Sequence, residues 1–119
     1  MTLMGRPYLN REIFMITVKV LTSSDLPLLL NVADDVFDNP VDESYAREFL
    51  EDSRHHIVVA LSEGVVIGFA SAVHYIHPDK PTELWINEVG VAPAHQGKGV
   101  GKAIMNELEK NRDVILFID

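Results

Sequence analysis

With 119 residues, 47% of them apolar and 24% charged, the chain has the size and balance of one compact globular domain. A net charge of −8 argues against a nucleic-acid binder, which needs a basic excess, and no apolar run approaches the roughly 20 residues that cross a bilayer. The absence of cysteine excludes disulfides, thiolate metal sites and a cysteine nucleophile, which makes a cytoplasmic location the default expectation.

Residues 1–14 show no clean period and contain Gly5 and Pro7. They read as an N-terminal extension ahead of a domain spanning 15–119, the alternative being an arm packed on the body. Met15 opens a strand-like run, Ile16 to Leu21. Thr22, Ser23, Ser24 and Asp25 offer helix-capping side chains. Behind them Leu26, Leu29, Leu30, Ala33, Val36 and Phe37 recur at helical spacing, until Asp38-Asn39-Pro40 breaks the pattern. A second helix is predicted from Asp42 to Asp52, with Tyr45, Ala46, Phe49 and Leu50 on one face. His56–Leu61 and Val65–Tyr75, joined by Ser62-Glu63-Gly64, predict a hairpin. Glu83–Val91 is the next strand and 99–111 a helix. Val114–Ile118 reads as a strand covered on both faces. The order is β-α-α-β-β-β-α-β, a mixed α/β (α+β) domain.

The informative segment joins the strand at 83–91 to the helix at 99–111. Gly97, Gly99 and Gly101 alternate at the helix entry. Glycine permits positive φ and lets a ligand approach the backbone. A row of backbone N–H groups at a helix N-terminus, aided by the helix dipole, is an anion site, and Lys98 and Lys102 add positive charge. A pyrophosphate suits such a site. A Walker loop fails, because Ala103 follows Lys102; the dinucleotide fingerprint fails, because position 102 is lysine. Gln96-Gly97-Lys98-Gly99-Val100-Gly101 instead fits Gln-x-x-Gly-x-Gly.

That pattern resembles the pyrophosphate loop of the GNAT superfamily of N-acetyltransferases, and Glu88-Val89-Gly90-Val91-Ala92-Pro93 resembles its acyl-CoA strand. The element order over 16–118 is also that of the family. The stretches 36–61 and 81–91 look most like the aminoglycoside 3-N-acetyltransferase branch. The resemblance implies a GNAT-like, central, mostly antiparallel mixed sheet flanked by helices, with the C-terminal part of the family domain missing. It implies acetyl-CoA as acyl donor, held by backbone pairing at Val89 and Val91 and by Gln96, Gly97, Lys98, Gly99, Val100, Gly101 and Lys102. It further implies that the Val89 N–H polarises the thioester carbonyl and that Glu88 sits beside the substrate amine. An alkyl ammonium has a pKa of about 10 and a glutamate about 4, so Glu88 acts either as a base, with help from its surroundings or a water, or as a cation-recognition group. The tyrosine that often protonates the leaving thiolate lies in the family's later segment, whereas Tyr8, Tyr45 and Tyr75 all precede the loop. This departure bears on turnover more than on acetyl-CoA binding.

The remaining candidates carry less. His55 and His56 are adjacent on a strand, point to opposite faces and cannot share a metal. His74 and His77 straddle a strand end and a loop, and His95 borders the glycine loop. Trp85 is expected in the core. Asp34, Asp35, Asp38, Asp42 and Glu43 form either a solvated helix end or the wall of a groove for a cationic substrate. No metal site is expected. The sequence thus points to an acetyl-CoA-dependent N-acetyltransferase acting directly on a primary amine of a small cationic, aminoglycoside-like molecule. The alternatives are an acyl-CoA-binding module with little turnover and an interaction domain that kept only the fold. A homodimer pairing through Val114–Ile118 is the expected assembly.

Overall fold

The computed structural model describes residues 5–9 and 15–113. Val114–Ile118, and with them the expected last strand and dimer contact, lie outside the described residues. Five strands follow one another in chain order across a single antiparallel sheet: β1 (Arg6–Leu9), β2 (Met15–Val20), β3 (His55–Ser62), β4 (Val65–Tyr75) and β5 (Glu83–Val91). The sequence pattern gave no strand before Met15, yet Arg6–Leu9 pairs with β2 from Arg6↔Val18 to Leu9↔Met15. Backbone pairing needs no side-chain alternation, so this element left no periodic signal.

The β3–β4 hairpin turns at Glu63 (φ 51°) and Gly64 (φ 79°), two consecutive positive-φ residues. That backbone twist matches the strands it joins, and glycine adopts it at no steric cost. The helices are α1 (Leu26–Leu29), α2 (Glu43–Glu51) and α3 (Val100–Lys110). In α2 the Asp42 carboxylate accepts the N–H of Tyr45, so the first residue of the predicted helix is its N-cap.

Alternation along the strands splits the core between the two faces of the sheet. On one face α3 lays Val100, Ile104 and Leu108 over Val18, Val58 and Ala70. On the other, α1 and α2 cover Ile57, Val59 and Phe69 with Leu29 and Ala46.

The helix predicted across 26–37 is not there. α1 ends after one turn, and the chain leaves it as an irregular loop through residue 42. The reason is tertiary. The Val66 N–H donates to the Asn31 carbonyl and the Ala33 N–H donates to Val66, a parallel bridge that satisfies this backbone without a helix. Asp35 then turns at φ 62°. Val36 is still buried and Phe37 still stacks on Phe69, with ring centroids 4.1 Å apart. The apolar spacing therefore records burial in a loop. Trp85, expected in the core, is 56% exposed, because β5 ends the described sheet and no described element covers that stretch of it.

Candidate functional site

β5 ties two features together. At its far end the chain passes through a short turn, Pro93–His95, and enters α3. The Ala92 N–H donates to Ile67 at 2.8 Å and the Gln96 side-chain amide donates to the Val91 carbonyl at 3.0 Å, so the turn is fastened to the sheet at both ends. Gly97 (φ 76°) and Gly99 (φ 84°) are both left-handed, and a Cβ at either would meet nothing within 4 Å. The requirement for glycine there is backbone conformation, and the space above the loop is open. Gly99 is the N-cap of α3 with no side-chain cap, and Ala103 donates to its carbonyl at 3.0 Å. The N–H groups of Val100, Gly101 and Lys102 precede the first intrahelical bond. A Cβ added at Gly101 would meet the Val91 side chain at an ordinary 3.8 Å. Lys98 is half-buried and Lys102 exposed beside this entry. The residues of the glycine motif thus converge on one helix N-terminus whose donors face open space.

The second feature lies nearer the middle of β5. The register with β4 runs Ala70↔Val89 and Ser71↔Glu88, then jumps to Ala72↔Ile86, leaving Asn87 as the extra residue of a β-bulge. Adjacent strand residues normally point to opposite faces, and a bulge re-aims them. Here Asn87 and Glu88 both line one cavity of about 440 Å³. This lies within the size range of small-molecule sites. Its walls come from the loop after α1 (Phe37–Val41), from Tyr45 and Phe49 of α2, and from His55, Ile57, Phe69 and Ser71 of the sheet. Asp38 and Asp42 join Glu88 on the lining, so the cavity is acidic where the α3 entry is basic. The Ser44 hydroxyl, then the Tyr45 N–H, hold the Asp42 carboxyl below its usual range. The Glu88 side chain is exposed and makes no hydrogen bond or ion pair among the described residues.

Gly90 sets the distance between these parts. A Cβ there would come within 2.5 Å of the Val36 carbonyl oxygen and 2.8 Å of the Phe69 ring. The loop after α1 can rest on β5 only because position 90 lacks a side chain. Val89 is 52% exposed, and the outer edge of β5 has no partner strand among the described residues.

Among the sequence candidates, Asp38 and Asp42 reach the cavity, whereas Asp34 and Asp35 line a neighbouring one. His55 lines the cavity. His56 is buried on the α3 face, where its Nε2 lies 2.9 Å from Nδ1 of a likewise buried His74. Strand parity separates His55 from His56 but says nothing of His74, 18 residues on. The sequence reading missed Ser71, Asn87 and the aromatic walls, because no local pattern marks a bulge. No helix among the described residues is long and apolar enough to cross a membrane.

Against this geometry, the model of the acetyltransferase (GNAT) family matches residues 26–111. The chain is 28% identical over 95 residues to the N-alpha-acetyltransferase RimI of Mycobacterium tuberculosis (strain ATCC 25618 / H37Rv), an alignment covering 78% of this chain and 60% of that protein. It is 43% identical over 51 residues to an L-2,4-diaminobutyric acid acetyltransferase of Virgibacillus pantothenticus, covering 43% of this chain and 31% of that one. The chain therefore matches less than two thirds of the length of either relative. An aminoglycoside acetyltransferase from an uncultured soil metagenomic sample, solved in complex with sisomicin, shares the fold with a TM-score of 0.66 at 18% identity, over 80% of this chain and 68% of that one. The aminoglycoside branch is thus among the structural neighbours.

Proposed function

Because the chain belongs to the GNAT acetyltransferase family, we propose that it transfers an acetyl group from acetyl-CoA directly to a primary amine of a small cationic molecule. The observation that carries this reading is the continuity of β5: one strand leads from the acidic cavity at Asn87 and Glu88 to the open helix entry at Gly97–Gly101. An acceptor in the cavity and a donor anchored at the helix would meet along that strand.

In this reading, backbone N–H groups from Gln96 to Gly101 hold the pyrophosphate, with the α3 dipole, Lys98 and Lys102 adding positive potential. The left-handed glycines and the empty space around them fit such a group. The backbone of Val89 and Val91 at the outer edge of β5 pairs with the pantetheine arm as an added strand would. Val91 can do so while its carbonyl accepts from Gln96, since a carbonyl has two lone pairs. Acetyl-CoA supplies the activated acetyl group. The Val89 N–H stabilises the negative charge that develops on the carbonyl oxygen. The amine nitrogen bonds to the carbonyl carbon, the C–S bond breaks and the sulfur leaves with CoA. The nitrogen's proton passes to Glu88, directly or through a water. Direct transfer suits a chain without cysteine.

The acceptor class follows from the lining. Asp38, Asp42 and Glu88 favour a cation, and Phe37, Tyr45 and Phe49 favour a compact apolar stem behind it. The sisomicin-bound neighbour supports an aminoglycoside-like acceptor as the finer reading. Thiol release from acetyl-CoA against an amine panel, beside calorimetry with CoA, tests the proposal. Small cationic amines are expected to turn over fastest. Faster turnover of acidic amines or of histone-like peptides would overturn the acceptor class. CoA binding without thiol release would favour an acyl-CoA-binding module.

A further inference from the structure

Among the described residues, one buried hydroxyl has nothing to bond. Ser71 lies in the middle of β4, is 5% exposed, and its Oγ is buried with no hydrogen-bond partner among the described residues. Native interiors pair nearly all their buried polar groups, and an exception calls for an explanation. Packing supplies none here. The neighbours of Ser71 on that face are Phe69, two residues earlier, and Ile57, directly opposite on β3. Alanine would serve such apolar company better.

The position of Ser71 supplies the explanation. It lines the acidic cavity, and its partner across the sheet on the other side is Glu88, at the bulge. Side chains directly opposed on antiparallel strands start from Cβ atoms roughly 4.5–5.5 Å apart. One small group can therefore touch both.

We propose that Ser71 is a positioning residue for the acceptor: its buried Oγ accepts one N–H of the substrate amine while the Glu88 carboxylate accepts another. This rests on the cavity being the acceptor site, as proposed above. A neutral primary amine has two N–H bonds and one lone pair. With both N–H bonds held by Ser71 and Glu88, the lone pair is left to face the thioester carbon. The hydroxyl forms no covalent bond and keeps its own proton. Its role is to fix direction, and it is left unpaired in the protein so that the substrate can complete it. Sites built to hydrogen-bond a substrate group carry such an unmet partner when empty.

The test compares wild type, Ser71→Ala and Ser71→Cys, the last keeping the volume but weakening the hydrogen bond. Ser71→Ala is expected to raise the KM of the best amine in the panel by up to about 10-fold, the upper scale of one neutral hydrogen bond. The affinity for CoA should stay the same, and Ser71→Cys should fall in between. The Tm of Ser71→Ala should hold or rise by a few degrees, because an unsatisfied buried hydroxyl has been removed. An unchanged amine KM, or a Tm that falls by several degrees, would overturn the proposal, the second by showing that the hydroxyl serves the fold. Calorimetry with n-butylamine in the presence of CoA reads the same contact without turnover. Weaker binding to Ser71→Ala than to wild type supports the role even if no amine is acetylated, a result that would count against the enzymatic reading alone. No binding of n-butylamine to wild type would overturn it.

Discussion

The glycine loop at the entry of α3 follows the end of β5 and the acidic cavity beside Glu88 opens nearer the middle of the same strand, yet they are built in opposite ways. The loop is a local object. Gln96 to Lys102 are consecutive, and its shape follows from two left-handed glycines and a helix start. The cavity is a composite of residues between Leu29 and Glu88, drawn from a loop, two helices and three strands. A local object tolerates change elsewhere in the fold, whereas a composite one registers shifts in any of its walls. The variants below separate the two regions.

The largest effect is expected at the loop. Gly99→Asp keeps a residue type that enters the left-handed region more readily than most, and nothing within 4 Å of its Cβ obstructs it. Its carboxylate would sit where the pyrophosphate is proposed to bind, and like charges in contact cost several kcal/mol. CoA affinity should fall roughly 100-fold or more by calorimetry, with the fold intact by circular dichroism. Unchanged affinity would remove the site from this loop.

Next comes Glu88→Gln, which keeps the shape of the side chain and removes its charge. A positioned general base contributes on the order of 10²-fold or more, so kcat/KM for the amine should drop by about two decades while CoA binding holds. Equal kcat/KM for the two proteins across pH 6–9 would exclude both roles weighed for Glu88. Together these two variants sharpen the contrast, one losing the donor and the other the reaction.

Gly90→Ala tests what couples the regions. The added Cβ would meet the Val36 carbonyl oxygen at 2.5 Å, so the loop after α1 must retreat. Overpacking of this kind costs about 1–3 kcal/mol. A lower Tm and a raised amine KM are expected, with little change in CoA affinity. If CoA affinity fell as far as amine affinity, the two regions would not be separable along β5.

The smallest effect is expected at the cavity wall. Asp42 caps α2, and its charged form is held first by the Ser44 hydroxyl and then by the Tyr45 N–H, which lowers its pKa. A carboxylate with a depressed folded pKa contributes stability that is complete above its unfolded pKa, near 4, and is lost as the pH falls through the folded value. Asp42→Ala should therefore lower Tm modestly at pH 7, and the gap from wild type should close in acid below about pH 4. A gap that widened in acid would contradict the cap.

These expectations differ in how far they could be read from the chain alone. Strand boundaries at 65–75 and 83–91, the turn at Glu63-Gly64, the helix at 43–51 and the entry to α3 each rest on a signal contained within a few residues: alternation, a capping carboxylate, a glycine at positive φ. Only the tertiary structure decided the rest. The helical spacing of 26–37 was overridden because Asn31 and Ala33 found their backbone partners on Val66. Trp85 stayed outside because β5 ends the described sheet, a matter of strand order that its own hydrophobicity cannot report. The bulge at Asn87 turned two adjacent side chains into one cavity, where Glu88 lies across from Ser71, whose hydroxyl has no partner among the described residues. Sequence encodes what a residue can do over a helical turn or a strand pair. Which distant groups share a cavity depends on register and packing, and these are fixed only when the sheet has formed and its two faces have been covered.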